Sequence, residues 1–219
     1  MVGEPVNGGL ALSRSRVDNS ERWRDILDAA AKLFAERGYA GTSLHHIADH
    51  VGITKGSLFH YIDTKDDLLF EVLLEIHEIH LQHFDEYAEA SGGPLERLRA
   101  FIEGHARVNI ADIDRGSVFY LNFDSLSAER RDVILRTRRK FDEFLRRLLH
   151  EAKVDGLIRP DVDEQLAAIG ILTALNSMHL WWKPDYTTKT DVPTQFADLF
   201  ICGVTGAPHR DPQLTGSPE

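Results

Sequence analysis

Residues 42–69 read TSLHHIADHVGITKGSLFHYIDTKDDLL, and this order of apolar, small and capping residues predicts two short helices joined by a tight turn. Leu44, Ile47, Ala48 and Val51 fall at i, i+3, i+4 and i+7, which places them on one face of the first helix, a face that must be buried. Thr42 and Thr54 each precede a helix-forming segment, where a hydroxyl oxygen accepts from an otherwise unpaired backbone N–H. Gly52 stands where the chain reverses, and a left-handed backbone costs glycine least. Ala48 is small, so a second helix can cross close to it. That helix is expected from Lys55 to Tyr61, with Ile53, Leu58 and Tyr61 on its apolar side and Lys55, Gly56, Ser57 and His60 toward solvent. A polar face of this kind on the second of two crossed helices suits entry into a DNA major groove.

On these residues, IADHVGITKGSLFHYIDTKDDLL resembles the DNA-binding signature of the tetracycline-repressor-like (TetR) family of bacterial transcription regulators. ILDAAAKLFAERGYAGTS, just before it, resembles that family's first helix, so the likeness runs motif by motif to about residue 75. It implies an all-α protein of about nine helices, with an N-terminal three-helix head carrying the helix-turn-helix and a C-terminal body that binds an effector and dimerises. The DNA-binding set it implies is Thr42, Ser43, Thr54, Lys55, Gly56, Ser57, His60, Tyr61 and Lys65, with Lys65 as the family's phosphate-binding lysine at the start of the fourth helix. One position departs: Phe59 stands where the family usually has a tyrosine whose hydroxyl touches a phosphate, and phenylalanine cannot make that contact.

The 219 residues, 42% of them hydrophobic, suffice for one large or two small domains with a buried core. No window reaches the roughly 18 consecutive apolar residues of a membrane span, and no basic-then-apolar leader opens the chain, so a cytoplasmic protein without membrane contact is expected. The single cysteine, Cys202, allows no intrachain disulfide, which fits a reducing compartment. A net charge of −10 sits oddly with DNA until its distribution is considered. From Ser13 to Lys65 eight Lys/Arg stand against seven Asp/Glu, so the acidic excess lies outside the reading head and a modest salt dependence is expected.

In chain order, residues 1–19 are rich in Gly, Ser and Pro and carry Arg14 and Arg16, which predicts a mobile arm able to place arginine in a minor groove. A helix is expected over Ser20–Arg37, stopped by Gly38, and residues 20–65 form the DNA-binding domain. Asp63 and Thr64 cap a long helix to about Ala90, whose stripe of Leu69, Val72, Leu73 and Ile76 makes it a lever between head and body. Residues 66–205 form the body, with helices near 94–111, 117–125, 128–154, 163–182 and 194–203 and a loose tail over 206–219. No strand-like alternation and no internal repeat occurs.

Two segments suit self-association into a homodimer. Ala167, Gly170, Ala174 and Ser177 repeat small residues at helical spacing, and Phe196, Leu199, Phe200 and Gly203 form an apolar stripe. The family resemblance implies a four-helix seam between two subunits, and a two-fold dimer matches a palindromic operator of double-stranded DNA. Candidate effector contacts are the aromatics Phe101, Phe119, Phe123, Phe141, Phe144 and Trp182, joined by His105, Asn109, Asn176 and His179, polar groups amid apolar ones that need partners. The stretch from Asn176 to Val204 resembles TetR-like regulators that answer to acyl-CoA thioesters, for whose phosphates Arg138, Arg139, Lys140 and Lys183 are candidates. An apolar drug is an alternative effector. The histidines at 77, 80 and 83 drift around their helix and lack companion ligands, so a metal ion stands beside the drug only as an alternative effector, and no metal site and no cofactor is expected. An enzyme is the rival class, against which no phosphate loop, metal-hydrolase motif or nucleophile elbow is found.

Overall fold

The computed structural model describes residues 20–88, 91–183 and 191–206, and all secondary structure among them is helical. Two compact units divide the chain, Met1–Glu71 and Val72–Glu219. Arg14, Arg16 and most of the expected tail lie outside the described residues.

The first unit holds α1 (Ser20–Arg37), α2 (Leu44–Val51), α3 (Lys55–Leu58) and the opening of α4 (Lys65–Ala88). Its interior is the apolar stripe of α1, including Ile26, Ala30, Leu33 and Phe34, together with Ile47, Ala48 and Leu58, all essentially without exposed surface. Gly52 ends α2 at φ 76°, in the left-handed region, and its N–H donates back to the Ala48 and Asp49 carbonyls. Two expectations change here. Ser43 rather than Thr42 caps α2, accepting from the His46 N–H while the His46 ring accepts from the Ser43 N–H, a reciprocal box. Thr42 is turned inward and buried, its hydroxyl 3.0 Å from the Leu33 and Gly38 carbonyl oxygens to which it donates. The second helix is also shorter than expected: α3 closes at Leu58, and residues 59–61 continue as turns.

The second unit contains the rest of α4, then α5 (Pro94–Ala111), α6 (Ile113–Asn122), a 3-10 turn (Phe123–Ser125), α7 (Ala128–Val154), α8 (Glu164–Asn176), α9 (Met178–Trp181) and α10 (Val192–Thr205). Its core is built from Leu98, Phe101, Ile102, Phe144, Leu145, Leu148, Ile171 and Leu175 and their buried neighbours on α5, α7, α8 and α10. A β-carbon at Gly104 would run into the Tyr87 ring, so glycine lets α4 and α5 approach closely there. The α6 segment begins four residues earlier than expected because Asp112 caps it, accepting from the Arg115 N–H at 3.3 Å. The expected single helix over 163–182 is broken at Ser177, which makes ten α-helices among the described residues rather than nine. At the break, the Ser177 hydroxyl donates to the Ala174 carbonyl and His179 Nδ1–H donates to the Asn176 carbonyl, local bonds that compete with helix continuation. No described helix is long and apolar enough to cross a membrane.

Candidate functional site

The exposed surface around α3 carries Ser43, Thr54, Lys55, Gly56 and His60, with Ser57, Tyr61 and Lys65 half-buried beside it. Thr54 accepts from the Ser57 N–H at 3.0 Å, and the two hydroxyls lie 2.9 Å apart, so both are oriented before any partner arrives. Tyr61 stacks on Trp23 of α1 with ring centroids 6.3 Å apart. Phe59 is 45% exposed with the Lys55 ammonium 5.5 Å above its ring, an apolar face where a hydroxyl was anticipated by the family pattern. Lys65 is held differently from a free surface lysine. Its Nζ donates to the Tyr39 carbonyl at 2.9 Å and the Thr42 carbonyl at 3.0 Å, and lies 4.2 Å from the Tyr39 ring centroid. The ammonium thus joins the α1–α2 turn to α4, while Tyr39 hydrogen-bonds Asp66. Thr42, by contrast, offers no side chain to a partner.

Gly56 supplies a test of this surface. A β-carbon there would meet only Thr54 Oγ1, at 3.7 Å, an ordinary contact, and its backbone needs no left-handed φ. Gly56→Val is therefore expected to leave the fold intact within about 1 kcal/mol, its β-branching being a minor cost. Operator affinity should fall at least about tenfold if the outer face approaches a groove closely, since about 1.4 kcal/mol of lost contact suffices. Thermal unfolding and fluorescence-anisotropy titration check the two halves.

Within the second unit a partly open cavity, about 530 Å³ of empty space with the open solvent at its mouth included, lies between α4, α5, α6, α7 and α8. Five expected effector residues line it: His105 and Asn109 from α5, Phe119 from α6, Phe141 from α7 and Asn176 from α8. Five do not. Phe101 and Phe144 belong to the buried core; the Phe123 ring lies 5.2 Å from that of Phe119, centroid to centroid; His179 stacks on Tyr120 at 4.9 Å; Trp182 lines a separate depression with Ile110 and Pro193. The lining instead gains Ile76, His77 and His80 from α4, Gly116 and Tyr120 from α6, Arg138 and Leu172. The heptad-like stripe of α4 was legible, but which of its histidines faces inward depends on how α5 and α6 cover it. No group of three or more His, Cys, Asp or Glu side chains among the described residues is placed to hold a metal ion.

Polar groups in the cavity are tied in pairs. His80 Nε2–H donates to Asn109 Oδ1 at 3.2 Å, and Asn109 Nδ2 donates to the Leu175 carbonyl at 3.1 Å. His105 Nε2–H donates to Asn176 Oδ1 at 3.3 Å, and the two imidazoles stack at 4.1 Å. Burial is the main cause that lowers the pKa of all three histidines: His77 to about 3, with His80 and Arg138 adding to the effect; His80 to about 4 despite its Asn109 bond; and His105 well below 6.5. Burial likewise raises the Tyr120 phenol to about 12. The sign of the stability effect follows directly. In the unfolded chain His77 and His80 bind protons below about 6.5, whereas in the folded chain they do so only near 3 and 4, so their contribution to stability is whole above pH 6.5 and is lost as pH falls toward 4. At pH 5 each of His77 and His80 is expected to cost about 2 kcal/mol. Thermal unfolding from pH 7.5 to 5 should show a steep fall, shallower in His77→Phe.

Among the expected dimer residues, Gly170 and Leu199 are exposed, and Ala174, Ser177, Phe196 and Phe200 are half-buried. Phe196 stacks on Trp181 at 5.4 Å and touches Phe200. Leu166 and Ile169, unremarked in the sequence, are exposed on α8 beside Gly170.

Family comparisons meet this geometry at both ends of the chain. The description "Bacterial regulatory proteins, tetR family" matches residues 26–72, and "Tetracyclin repressor-like, C-terminal domain" matches residues 91–204, more than half the chain. The chain belongs to the tetR family. As a tetR regulator it is a DNA-binding transcriptional regulator, and its similarity to characterised relatives extends through both matched regions. It is 30% identical to the HTH-type transcriptional regulator HbdR of Aromatoleum sp. (strain CIB) over 74% of this chain and 69% of that protein. It is 29% identical to the HTH-type transcriptional repressor KstR2 of Rhodococcus jostii (strain RHA1) over 87% and 94%. Among solved structures, AibR in complex with isovaleryl coenzyme A and operator DNA is 31% identical, with a TM-score of 0.72 over 84% of this chain and 98% of that one.

Proposed function

We propose that this tetR regulator is a cytoplasmic, homodimeric repressor that releases a palindromic operator when an acyl-CoA thioester binds the cavity of its second unit. The observation that carries the reading is the cavity itself: apolar walls from Ile76, Phe119, Phe141 and Leu172 surround two histidine–asparagine pairs, in a chain similar over nearly all of AibR's length to a protein solved with isovaleryl coenzyme A and operator DNA. An acyl group would occupy the apolar part, and its coenzyme would lie toward the open mouth. The described residues also offer a route for coupling: α4 carries His77 and His80 at the cavity and Lys65 in its first turn. A ligand acts only through different affinities for two states, so the thioester is expected to favour a state in which the two heads no longer reach grooves about 34 to 36 Å apart. A coupling of about 1 to 3 kcal/mol weakens DNA 5- to 150-fold. The DNA-contacting residues in this reading are Ser43, Thr54, Lys55, Gly56, Ser57, His60, Tyr61 and Lys65.

The test is an operator-binding titration at fixed salt with short and branched acyl-CoAs, the free acids and unrelated apolar drugs, with each ligand recovered afterwards. Release by a thioester that is recovered chemically unchanged is the expected result and also separates a regulator from an enzyme. Release by drugs and by no thioester would reject the thioester and keep the pocket; no release and no thermal shift by any of them would reject both.

A further inference from the structure

Two buried atoms of the cavity have no use in the reading above. His80 Nε2 and His105 Nε2 each spend their proton on an asparagine oxygen, and Asn109 is oriented independently by its donation to Leu175. The opposite ring nitrogens, Nδ1 of both residues, are buried and have no hydrogen-bond partner. With each Nε2–H given to an asparagine oxygen and burial opposing a second proton on the ring, each Nδ1 carries an acceptor lone pair. A buried acceptor without a donor is costly, and two occur on one stacked pair that lines the cavity, both residues more than nine-tenths buried.

The groups nearby narrow the chemistry of a fitting donor. Arg138 lines the same cavity with its guanidinium 5.6 Å from the Phe119 ring centroid, and forms no ion pair among the described residues. Its charge opposes an ammonium ligand beside the histidines, while two bare lone pairs oppose a carboxylate there. A neutral donor remains, and a hydroxyl is the smallest that an acyl chain carries. We propose that the effector's acyl group bears a hydroxyl, which donates to Nδ1 of His80 or His105 while Arg138 donates to the acyl carbonyl oxygen. This rests on the acyl-thioester reading and adds to it a choice among thioesters: a hydroxyacyl group is preferred over the plain aliphatic chain of the same length.

The experiment is calorimetric titration of the full chain with butyryl-CoA and with each enantiomer of 3-hydroxybutyryl-CoA, at one salt and one pH above 7. One hydroxy enantiomer should bind about tenfold or more tightly than butyryl-CoA, because a site with unpaired acceptors discriminates against an analogue lacking the donor. His80→Phe combined with His105→Phe should bring that ratio to about one. As a readout that needs no variant, the ¹⁵N resonances of the two Nδ1 atoms should move with the hydroxy ligand and stay in place with butyryl-CoA. Equal affinity for butyryl and hydroxybutyryl thioesters, unmoved Nδ1 resonances, or a preference that survives in the double variant would each overturn the hydroxyl assignment while leaving a thioester effector standing. Binding of neither of these thioesters, with release by other acyl-CoAs in the operator titration, would overturn the hydroxyl assignment alone, and failure of every acyl-CoA in that titration would overturn both.

Discussion

Gly170→Trp is expected to convert a dimer at micromolar concentration into a monomer without unfolding it. Gly170 lies exposed on α8, and a β-carbon added there meets nothing within 4 Å, so a substituted side chain starts into open space within its own subunit. Any penalty must come from a partner. Leu166 and Ile169, on the same helix, are 69% and 48% exposed, an apolar surface to leave in water beside a glycine that permits close helix approach, and Leu199 on α10 is 67% exposed. In a two-fold seam each substitution occurs twice, and overpacking of about 1 to 3 kcal/mol per copy totals roughly 2 to 6 kcal/mol, on the order of 30-fold to 10⁴-fold in dimer affinity. Operator binding should fall with it, since a monomer reaches one half-site only. Sedimentation velocity and circular dichroism decide: a wild-type monomer, or a Gly170→Trp dimer of unchanged affinity, would remove the seam from these helices.

Lys65→Ala should lower both stability and DNA affinity, a pairing that a simple phosphate contact does not produce. A phosphate-binding lysine positions DNA without reading it, so its loss weakens all sequences nearly alike. Here the same ammonium bridges the Tyr39 and Thr42 carbonyls and covers the Tyr39 ring. Hydrogen bonds to charged groups contribute about 1.5 to 3 kcal/mol each, and half-burial with solvent screening reduces the pair to about 2 kcal/mol in all. Thermal unfolding together with titration of operator and random duplexes at one salt concentration provides the check. A loss confined to the operator, with unchanged stability, would contradict the bridging role.

What the sequence by itself determined is the local part of this protein. The i, i+3, i+4 stripe buried Ile47 and Ala48, Gly52 took the left-handed conformation that its place after α2 demanded, and Thr54 capped α3, because each of these choices is made within one or two turns of chain. The all-α class followed from the same periodicity, and family membership from the motif that it carries. Tertiary structure decided the rest. Thr42 and Ser43 are adjacent hydroxyl residues, both able to cap, and only the packing of α2 against α1 sends Thr42 inward to Leu33 and leaves the cap to Ser43. Lys65 became a bridge because Tyr39 and Thr42, 26 and 23 residues earlier, present carbonyls to it. The cavity is the clearest case: His80, His105, Tyr120, Arg138 and Asn176 come from five helices, and helical periodicity ranks each of them only within its own helix. A side chain's neighbours across a cavity depend on how helices cross, and crossing is set by the summed packing of whole faces such as Tyr87 on Gly104, which no local pattern contains.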